Sequence, residues 1–551
     1  MGIATVTKNI VLLGHSKAGK TALSRALLKA AGIENPVIDK DPESLAYGMT
    51  TTSSHFHFSW HGANTVITNT PGDDNFLHEA DIMAHISDNA VLTICADEAH
   101  KFQTEKAAHL IQQSTMPSIL FINRMDEEKA DFMGTVAAIR KNILLDPAIL
   151  YLPIGSGRDF CGLIDVIGEK ALYFKTDSPA ALIEEEIPLA LQKEAYLALE
   201  KLMEQVAETD DELIEELLEE GELDHEYLVA GLKKAVASGA LSPVLPGAAK
   251  KGFGAGLLLE MSHSLFPEGG QMEALSRCQI FKVDHDAKMG TLYYCKVDSG
   301  TIHTGTLYNI SQNSEEKAAT FYIPFGGTLE ETESLTAGMI GVLVDLKKSA
   351  PGDTLAHSSE AQPQEPLPVV ARSHCTYAIA CKNPAEKGRL QEALAKIMAE
   401  DPALHLKQEP KTGETLLSGQ GRLHLETACR RISRKFGIEL LLTLPTVPYQ
   451  ERQEEGRKQI LLEPLMSLAI TLPDDCVGQV IKDLGKRRGK IMEIRSEARN
   501  EVIVSQVPMA EILEYGSDLA QLTGGRASFK AVFSHYEQLD DNAVLHKSAV
   551  V

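Results

Sequence analysis

Residues 14–21 read Gly-His-Ser-Lys-Ala-Gly-Lys-Thr, a pattern that few folds can carry because it must join a strand to a helix. That context is present, since the apolar residues 9–13 are typical of a buried parallel strand and a helical pattern runs on to Gly32. Glycines let backbone N–H groups surround phosphates, and the helix start adds positive potential. The sequence therefore predicts a phosphate-binding loop made of Gly14, His15, Ser16, Lys17, Ala18, Gly19, Lys20 and Thr21.

Further along the chain, two segments match the parts of a site that responds to a γ-phosphate. Lys20 is expected to reach the β and γ phosphates, and the Thr21 hydroxyl to ligate Mg²⁺. Thr50 is predicted to close over the γ-phosphate as a second ligand of Mg²⁺. Asn69 directly follows a predicted strand over residues 65–68, and two residues after Thr70 the Gly72 N–H is predicted to sense the γ-phosphate.

The base of the nucleotide is predicted from residues 123–126, Asn-Arg-Met-Asp, which follow another apolar strand. The Asp126 carboxylate can accept both N–H groups of the guanine edge, which adenine does not offer. Asn123 and Arg124 are expected to line the same pocket. Each motif alone is weak, but the ordered set, each part at the end of a strand, predicts a guanine-nucleotide site.

Length and composition restrict the class of protein. The 551 residues predict about three to five domains, and an apolar content of 44% is typical of globular proteins. A net charge of −24 argues against sequence-independent coating of nucleic acid but allows a local basic face. No apolar run reaches the ~18 residues of a spanning helix, no signal pattern opens the chain, and the eight cysteines lack zinc spacing. We expect a cytoplasmic protein with reduced thiols.

Several later stretches complete the pattern. They are VLPGAAK at 244–250, FKVDHDAKMGTLYYCKVDSG at 281–300, EDPALHLKQEPKTGETLLSGQGRLHLE at 400–426, DLGKRRGKI at 483–491 and LTGGRASF at 522–529. Together with the nucleotide motifs they resemble elongation factor G over roughly residues 8–538. The resemblance implies GTP or GDP with Mg²⁺ as ligands, with Ala248 and Ala249 in the loop around the guanine.

The implied fold is multidomain α/β. It comprises a P-loop GTPase domain over residues 1–268 with a helical insertion at about 158–240, a β-barrel over 271–360, and two ferredoxin-like α/β sandwiches over 366–450 and 461–540. The implied partner is the ribosome, at the factor-binding centre of its large subunit, with the protein acting as a monomer. Candidate RNA contacts are the basic cluster Lys486, Arg487, Arg488 and Lys490.

Four departures from the family pattern change this expectation. The fourth domain of elongation factor G, which reaches the decoding site, has no counterpart between residues 451 and 460. Asn69 replaces the carboxylate that anchors Mg²⁺ through water, and Asp73 replaces the histidine that orients the attacking water. Lys17 replaces the P-loop aspartate, and Tyr47 replaces the arginine of the first switch. Standard tRNA translocation is therefore not expected, and hydrolysis is expected to be slow or altered.

The catalytic candidates are Asp73, Lys17 and Gly72. The reciprocal change of charge favours an ion pair between Lys17 and Asp73 beside the γ-phosphate, whereas independent changes in a degraded site would explain the same residues. Two functions stay open at this point. One is a GTP-hydrolysing ribosomal factor, and the other is a non-hydrolysing GTP-binding scaffold or competitor at the same ribosomal site. Turnover stimulated by ribosomes distinguishes them.

Overall fold

The computed structural model describes residues 7–96, 102–143, 145–175, 181–269, 275–368, 375–452, 460–497, 500–524 and 526–539. The chain divides into two compact units, Met1–Val369 and Val370–Val551. No described helix is both long and apolar enough to cross a membrane.

Strands and helices alternate in the first part of unit 1. The strands are β1 (Thr7–Leu13), β2 (Ser54–Trp60), β3 (Ala63–Asn69), β4 (Asn89–Cys95), β5 (Ser118–Asn123) and β6 (Pro147–Ile149). The helices are α1 (Lys20–Ala30), α2 (Pro42–Tyr47), α3 (Leu77–Ile86), α4 (Phe102–Gln113) and α5 (Phe132–Asn142).

The insertion that follows is only partly helical, which corrects the expectation of a helical segment at about 158–240. It begins with an antiparallel sheet of β7 (Tyr151–Ile154), β8 (Gly162–Asp165), β9 (Lys170–Phe174) and β10 (Leu182–Glu185). The helices α6 (Gln192–Ala207), α7 (Asp211–Glu220) and α8 (His225–Ala237) come next, before β11 (Ser242–Pro246) and α9 (Ala255–Leu265). The strands were missed because each is short and the acidic helical pattern dominates this part of the sequence.

The main sheet of unit 1 brings the predicted motifs to one edge. Its order is β2-β3-β1-β4-β5-β11-β6, and all neighbours except β2 and β3 run parallel. Strand β1 is buried along its whole length, as its apolar residues 10–13 predict, and the polar residues 7–9 are buried with them. Since the carboxyl ends of parallel strands meet at one edge, the segments after β1, β3, β5 and β11 lie together there.

The strand-rich part of unit 1 holds ten strands. They are β12 (Arg277–Asp286), β13 (Gly290–Ser299), β14 (Thr301–His303), β15 (Gly305–Asn309), β16 (Ser314–Ala318), β17 (Phe321–Phe325), β18 (Thr328–Thr332), β19 (Ser334–Thr336), β20 (Ile340–Val344) and β21 (Thr354–Ala356). Eight form one sheet, β16-β15-β21-β12-β13-β20-β17-β18, and β14 pairs with β19. Within the described residues no ladder joins β16 to β18, so the expected barrel is not closed by backbone pairing. Ala318 of β16 and Phe321 of β17 still share one hydrophobic core.

Unit 2 contains two sheets of the same design. The first subdomain comprises β22 (Cys375–Cys381), α10 (Lys387–Glu400), β23 (His405–Gln408), β24 (Thr415–Gly419), α11 (Arg422–Phe436) and β25 (Leu440–Thr443). The second comprises β26 (Gln450–Arg452), β27 (Ile460–Leu472), α12 (Val477–Lys486), β28 (Lys490–Glu497), β29 (Asn500–Pro508), α13 (Tyr515–Thr523) and β30 (Ser528–Gln538). Both show the order βαββαβ with an antiparallel sheet, and in each the first of these strands lies between the third and the fourth. The prediction of two ferredoxin-like sandwiches is confirmed.

The position expected to lack a domain is bridged by a short connection. Strands β26 and β27 pair directly, with Arg452 opposite Ile460. Residues 453–459, which complete this connection, lie outside the described residues. A folded domain needs on the order of 50 residues, so none fits between these two paired strands.

Candidate nucleotide-binding site

The phosphate-binding loop lies between β1 and α1, where the sequence places it. Gly19 caps the helix in a left-handed conformation with φ 102°, and a Cβ there would lie 2.2 Å from the Asn123 amide nitrogen. Glycine is therefore required at this position. Because Ala18 follows a tight turn back to the His15 carbonyl, the loop has the compact shape that backbone recognition of phosphates needs.

Lys20 is buried inside the turn of this loop. Its Nζ donates to the carbonyl oxygens of Gly14 at 2.7 Å and His15 at 3.0 Å. Burial lowers the pKa of Lys20 to about 7, because the charged form loses its hydration. An ammonium held in this way is strongly stabilised by an anion, which is what a nucleotide phosphate would supply.

Three oxygen-bearing side chains converge at the start of α1. The Thr21 and Thr50 hydroxyl oxygens are 3.3 Å apart, and the Asn69 amide nitrogen is 3.5 Å from the Thr21 hydroxyl. The Asn69 Oδ1 atom is buried and has no hydrogen-bond partner among the described residues. Oxygen donors of this kind suit Mg²⁺ and its bound waters, so the cluster fits the metal.

Gly72 lies directly against the phosphate-binding loop. A Cβ at this position would lie 2.2 Å from Lys20 Nζ and 2.5 Å from the Gly14 carbonyl oxygen. Its segment is tied to β1 by the Thr70 hydroxyl, which donates to the Leu12 carbonyl at 2.6 Å. Only glycine can approach the loop this closely.

Asp73 and Lys17 do not form the expected ion pair. Asp73 Oδ1 instead accepts from the backbone nitrogen of Asn75 at 3.0 Å and from its side-chain nitrogen at 2.7 Å, capping a short 3₁₀ helix. Lys17 is exposed and left-handed with φ 67°, and its carbonyl accepts from Arg124 Nη2 at 2.5 Å. No ion pair joins Lys17 to Asp73 in the portion of the chain that the structure describes. Local capping satisfies Asp73 without a distant cation.

The base-binding side of the site is held together by Asn123. Its Nδ2 donates to the Ala18 carbonyl at 2.8 Å, and its Oδ1 accepts from the Ala249 backbone nitrogen at 2.9 Å. One buried side chain thus fixes the phosphate loop to the loop after β11, in which Ala248 and Ala249 are buried. Joining these two loops is a structural reason for an asparagine at position 123.

Asp126 lies next to this pair of loops with a neighbour that the sequence did not reveal. Lys251 Nζ is 3.4 Å from Asp126 Oδ2, and the lysine side chain is 45% exposed. An ion pair so close to solvent is weak, so the carboxylate is free to accept from a base. A lysine beside the predicted loop was visible in the sequence, but its partner was not.

Three protein-family models match this chain. The Elongation factor Tu GTP binding domain matches residues 5–268, Elongation Factor G domain III matches 370–443, and the Elongation factor G C-terminus matches 460–545. The chain belongs to the elongation factor G family. It is a translational GTPase related to elongation factor G.

Similarity to individual relatives extends over nearly the whole chain. Elongation factor G of Thermotoga neapolitana is 28% identical over 676 residues, covering 97% of this chain and 96% of that protein. The Thermotoga maritima protein is 27% identical, covering 97% of each. A crystal structure of a Thermus thermophilus protein has the same fold, with a TM-score of 0.85, 24% identity and 99% coverage of both chains.

The basic cluster at the end of α12 is largely neutralised within its own subdomain. Arg487 donates to Asp483 at 2.8 Å and to Asp518 at 2.7 Å. Arg488 makes two bonds to Glu463, at 2.6 and 2.9 Å. Bidentate arginine–carboxylate pairs of this kind stabilise packing between elements. Arg487 and Arg488 are therefore internal contacts in this structure rather than free cations facing outward.

Proposed function

We propose that this protein is a ribosome-stimulated GTPase that docks at the factor-binding centre of the large subunit but does not carry out standard tRNA translocation. The observation that carries the proposal is the convergence of Thr21, Thr50 and Asn69 beside Lys20 and Gly72. Two features support the absence of standard translocation: Asp73 replaces the family's catalytic histidine, and strands β26 and β27 pair directly where the family has its fourth domain. Monomeric action in the cytoplasm belongs to the same proposal.

The geometry supports the binding roles proposed for these residues. Lys20 holds the β and γ phosphates from within the loop, and the Gly72 N–H binds the γ-phosphate from the opposite side. Thr21 and Thr50 would ligate Mg²⁺, with the Asn69 oxygen accepting from a bound water. When bound, Mg²⁺ neutralises charge that develops between the phosphates. Asn123 and Asp126 recognise the guanine, with Arg124, Ala248 and Ala249 shaping the loops around it.

Asp73 is assigned the orientation of the attacking water. Its Oδ1 is held by Asn75, which leaves Oδ2 to accept from a water near the γ-phosphate. A carboxylate there repels the phosphate by ~1 kcal/mol in a watery site and by several at a dielectric constant near 20. Lys17, exposed on the phosphate loop, offsets part of this repulsion. This balance is the physical reason for proposing slow hydrolysis.

Two lysines of the basic cluster remain candidates for contact with ribosomal RNA. Lys486 has no ion-pair partner among the described residues. Lys490 pairs with Glu537 at 3.0 Å, but both side chains are largely exposed. Exposed pairs exchange readily for phosphate contacts because they contribute little stability.

The deciding measurement is GTP hydrolysis with and without 70S ribosomes, together with the affinities for GTP and GDP. We expect ribosomes to stimulate turnover. Asp73→Ala is expected to reduce the stimulated rate while leaving GDP affinity unchanged. Failure to bind either guanine nucleotide would contradict the proposed function.

A second function, a non-hydrolysing GTP-bound competitor at the same ribosomal site, is favoured by one observation. Asn69 stands where the family has the carboxylate that anchors Mg²⁺, and Asp73 stands where it has the histidine that orients the attacking water. The groups that bind the phosphates and the base are retained, whereas these two are changed. Tight GTP binding without turnover, whether or not ribosomes are present, would select this alternative.

Asn69→Asp is expected to strengthen Mg²⁺ binding. A carboxylate in place of the buried amide adds a unit charge close to the metal, so the Mg²⁺ concentration for half-maximal GDP retention should fall about tenfold. The measurement is GDP release across a Mg²⁺ titration. Asn64→Asp, the same change at the other end of β3, is the control and should leave the midpoint unmoved. An unchanged midpoint in Asn69→Asp would remove Asn69 from the metal site.

A further inference from the structure

The segment that carries Thr50 is folded on itself. We use the name switch loop for residues 41–53. Asp41 caps α2 by accepting from the Ser44 backbone nitrogen, and it also accepts from the Thr51 hydroxyl at 2.7 Å. The Ser44 hydroxyl accepts from the Thr51 backbone nitrogen at 2.9 Å. These bonds connect the start of the loop to its end, and Thr50 directly precedes the bonded Thr51.

Its C-terminal end is held by a lysine from the strand-rich region. Lys282 Nζ, on β12, donates to the Thr52 hydroxyl at 2.6 Å and to Glu79 Oε1 at 2.7 Å. Glu79 Oε2 accepts from the Ser53 backbone nitrogen at 3.2 Å. The Lys282 and Glu79 side chains are only 17% and 11% exposed. Burial alone would raise the pKa of Glu79, but nearby Lys282 and His78, together with the hydrogen bonds from Lys282 and Ser53, outweigh it, and the pKa falls to about 2.

The chain on either side of the loop also contacts the strand-rich region. The turn between β17 and β18 donates from the Gly326 nitrogen to the His55 carbonyl at 2.9 Å. A Cβ on Gly326 would lie 2.5 Å from the Val37 carbonyl oxygen. Phe325 packs edge-on against Phe56, with ring centroids 5.6 Å apart. With these flanks packed against the strand-rich region, Lys282 adds a side-chain connection from that region to the C-terminal end of the loop.

We infer that Lys282 is a positioning residue for the nucleotide site, holding Thr52 and Glu79 so that Thr50 stays beside Thr21. This inference rests on the proposed function, because it assigns Thr50 to the γ-phosphate and its metal. Glu79 belongs to α3, which follows the Gly72–Asp73 segment after one short 3₁₀ turn. One buried cation thus joins both segments that approach the γ-phosphate, and occupancy of the site is coupled to β12.

The test compares affinities for GDP and for a non-hydrolysable GTP analogue in the full chain with Mg²⁺. Lys282→Met combined with Glu79→Gln removes both charges, so neither is left buried alone. We expect GDP affinity within about twofold of the unmodified protein and analogue affinity about tenfold lower, within the usual range for coupled sites. Lys288→Met, in the exposed turn between β12 and β13, is the matched control and should change neither.

A purely structural role would lower the affinities for GDP and for the analogue equally, so that their ratio would not change. An unchanged ratio would therefore overturn the inference. Lys282→Arg gives a second reading if the double variant does not fold. Arginine keeps the charge but cannot place one compact ammonium on both oxygens, so a smaller fall in the ratio is expected and an unchanged ratio overturns the inference. If the unmodified protein binds no guanine nucleotide, the proposed function falls and the inference with it. If the protein binds guanine nucleotides but the variants leave the ratio of GDP affinity to analogue affinity unchanged, only the inference is overturned.

Discussion

Asp126→Asn is expected to transfer the base preference of this protein from guanine to xanthine. The Asp126 carboxylate offers acceptors to two N–H groups of guanine, whereas asparagine presents an N–H group that matches the 2-oxo group of xanthine. Two charge-assisted hydrogen bonds contribute about 3–6 kcal/mol, so GTP affinity should fall on the order of 10²- to 10⁴-fold. XTP affinity should rise in the same variant.

Competition between GTP and XTP for a fluorescent guanine nucleotide measures this change. Glu127→Gln is the matched control, because it removes a charge from the next, exposed residue and should alter neither affinity. The Lys251 ammonium, 3.4 Å from Asp126, loses its partner in the variant but remains solvated. An equal loss of both nucleotides would mean that Asp126 supports the loop rather than reads the base.

The parallel sheet explains why so much of the site could be predicted from the sequence. Each motif follows an apolar strand, and adjacent parallel strands bring their carboxyl ends to one edge whatever the connecting helices do. Lys20, Thr21 and Asn69 therefore come together from local patterns alone. The two ferredoxin-like sandwiches were expected from the resemblance to elongation factor G.

Contacts between distant side chains could not be predicted in this way. The basic residues Arg487 and Arg488 resembled an RNA-binding run because two of the carboxylates that neutralise them, Glu463 and Asp518, come from other elements. A lysine on β12 gives no sign in the sequence that it meets Glu79, 203 residues away. Such pairs depend on how elements and domains pack, which neither hydrophobic periodicity nor secondary-structure propensity encodes.

Local competition explains the failure of the Lys17–Asp73 pair. Opposite charges at positions that both approach the phosphates predicted an ion pair, but Asp73 also begins a short helix. A capping bond two residues away costs less chain ordering than a bond between separate loops. The Asp73 Oδ1 atom therefore accepts the capping hydrogen bond. The residue order Asp73-Asp74-Asn75 already indicated such a cap in the sequence.

Lys20→Met is expected to lower the affinity for both GTP and GDP by about 10²- to 10³-fold, corresponding to roughly 3–4 kcal/mol for contacts of one ammonium to phosphates. The effect is large because Lys20 is buried: its pKa is lowered to about 7 by lost hydration, and few waters compete for its bonds. Methionine keeps the length of the side chain but donates nothing to the Gly14 and His15 carbonyls.

Isothermal titration with each nucleotide measures this loss, and a thermal unfolding curve separates it from a failure to fold. Lys29→Met is the matched control, because Lys29 lies exposed in the last turn of the same helix. Both nucleotides should be affected, since the ammonium reaches the β-phosphate that GTP and GDP share, with GTP losing more. A folded Lys20→Met protein that kept its GDP affinity would mean that the loop binds phosphate through backbone nitrogens alone, and that the buried lysine serves only to close the turn.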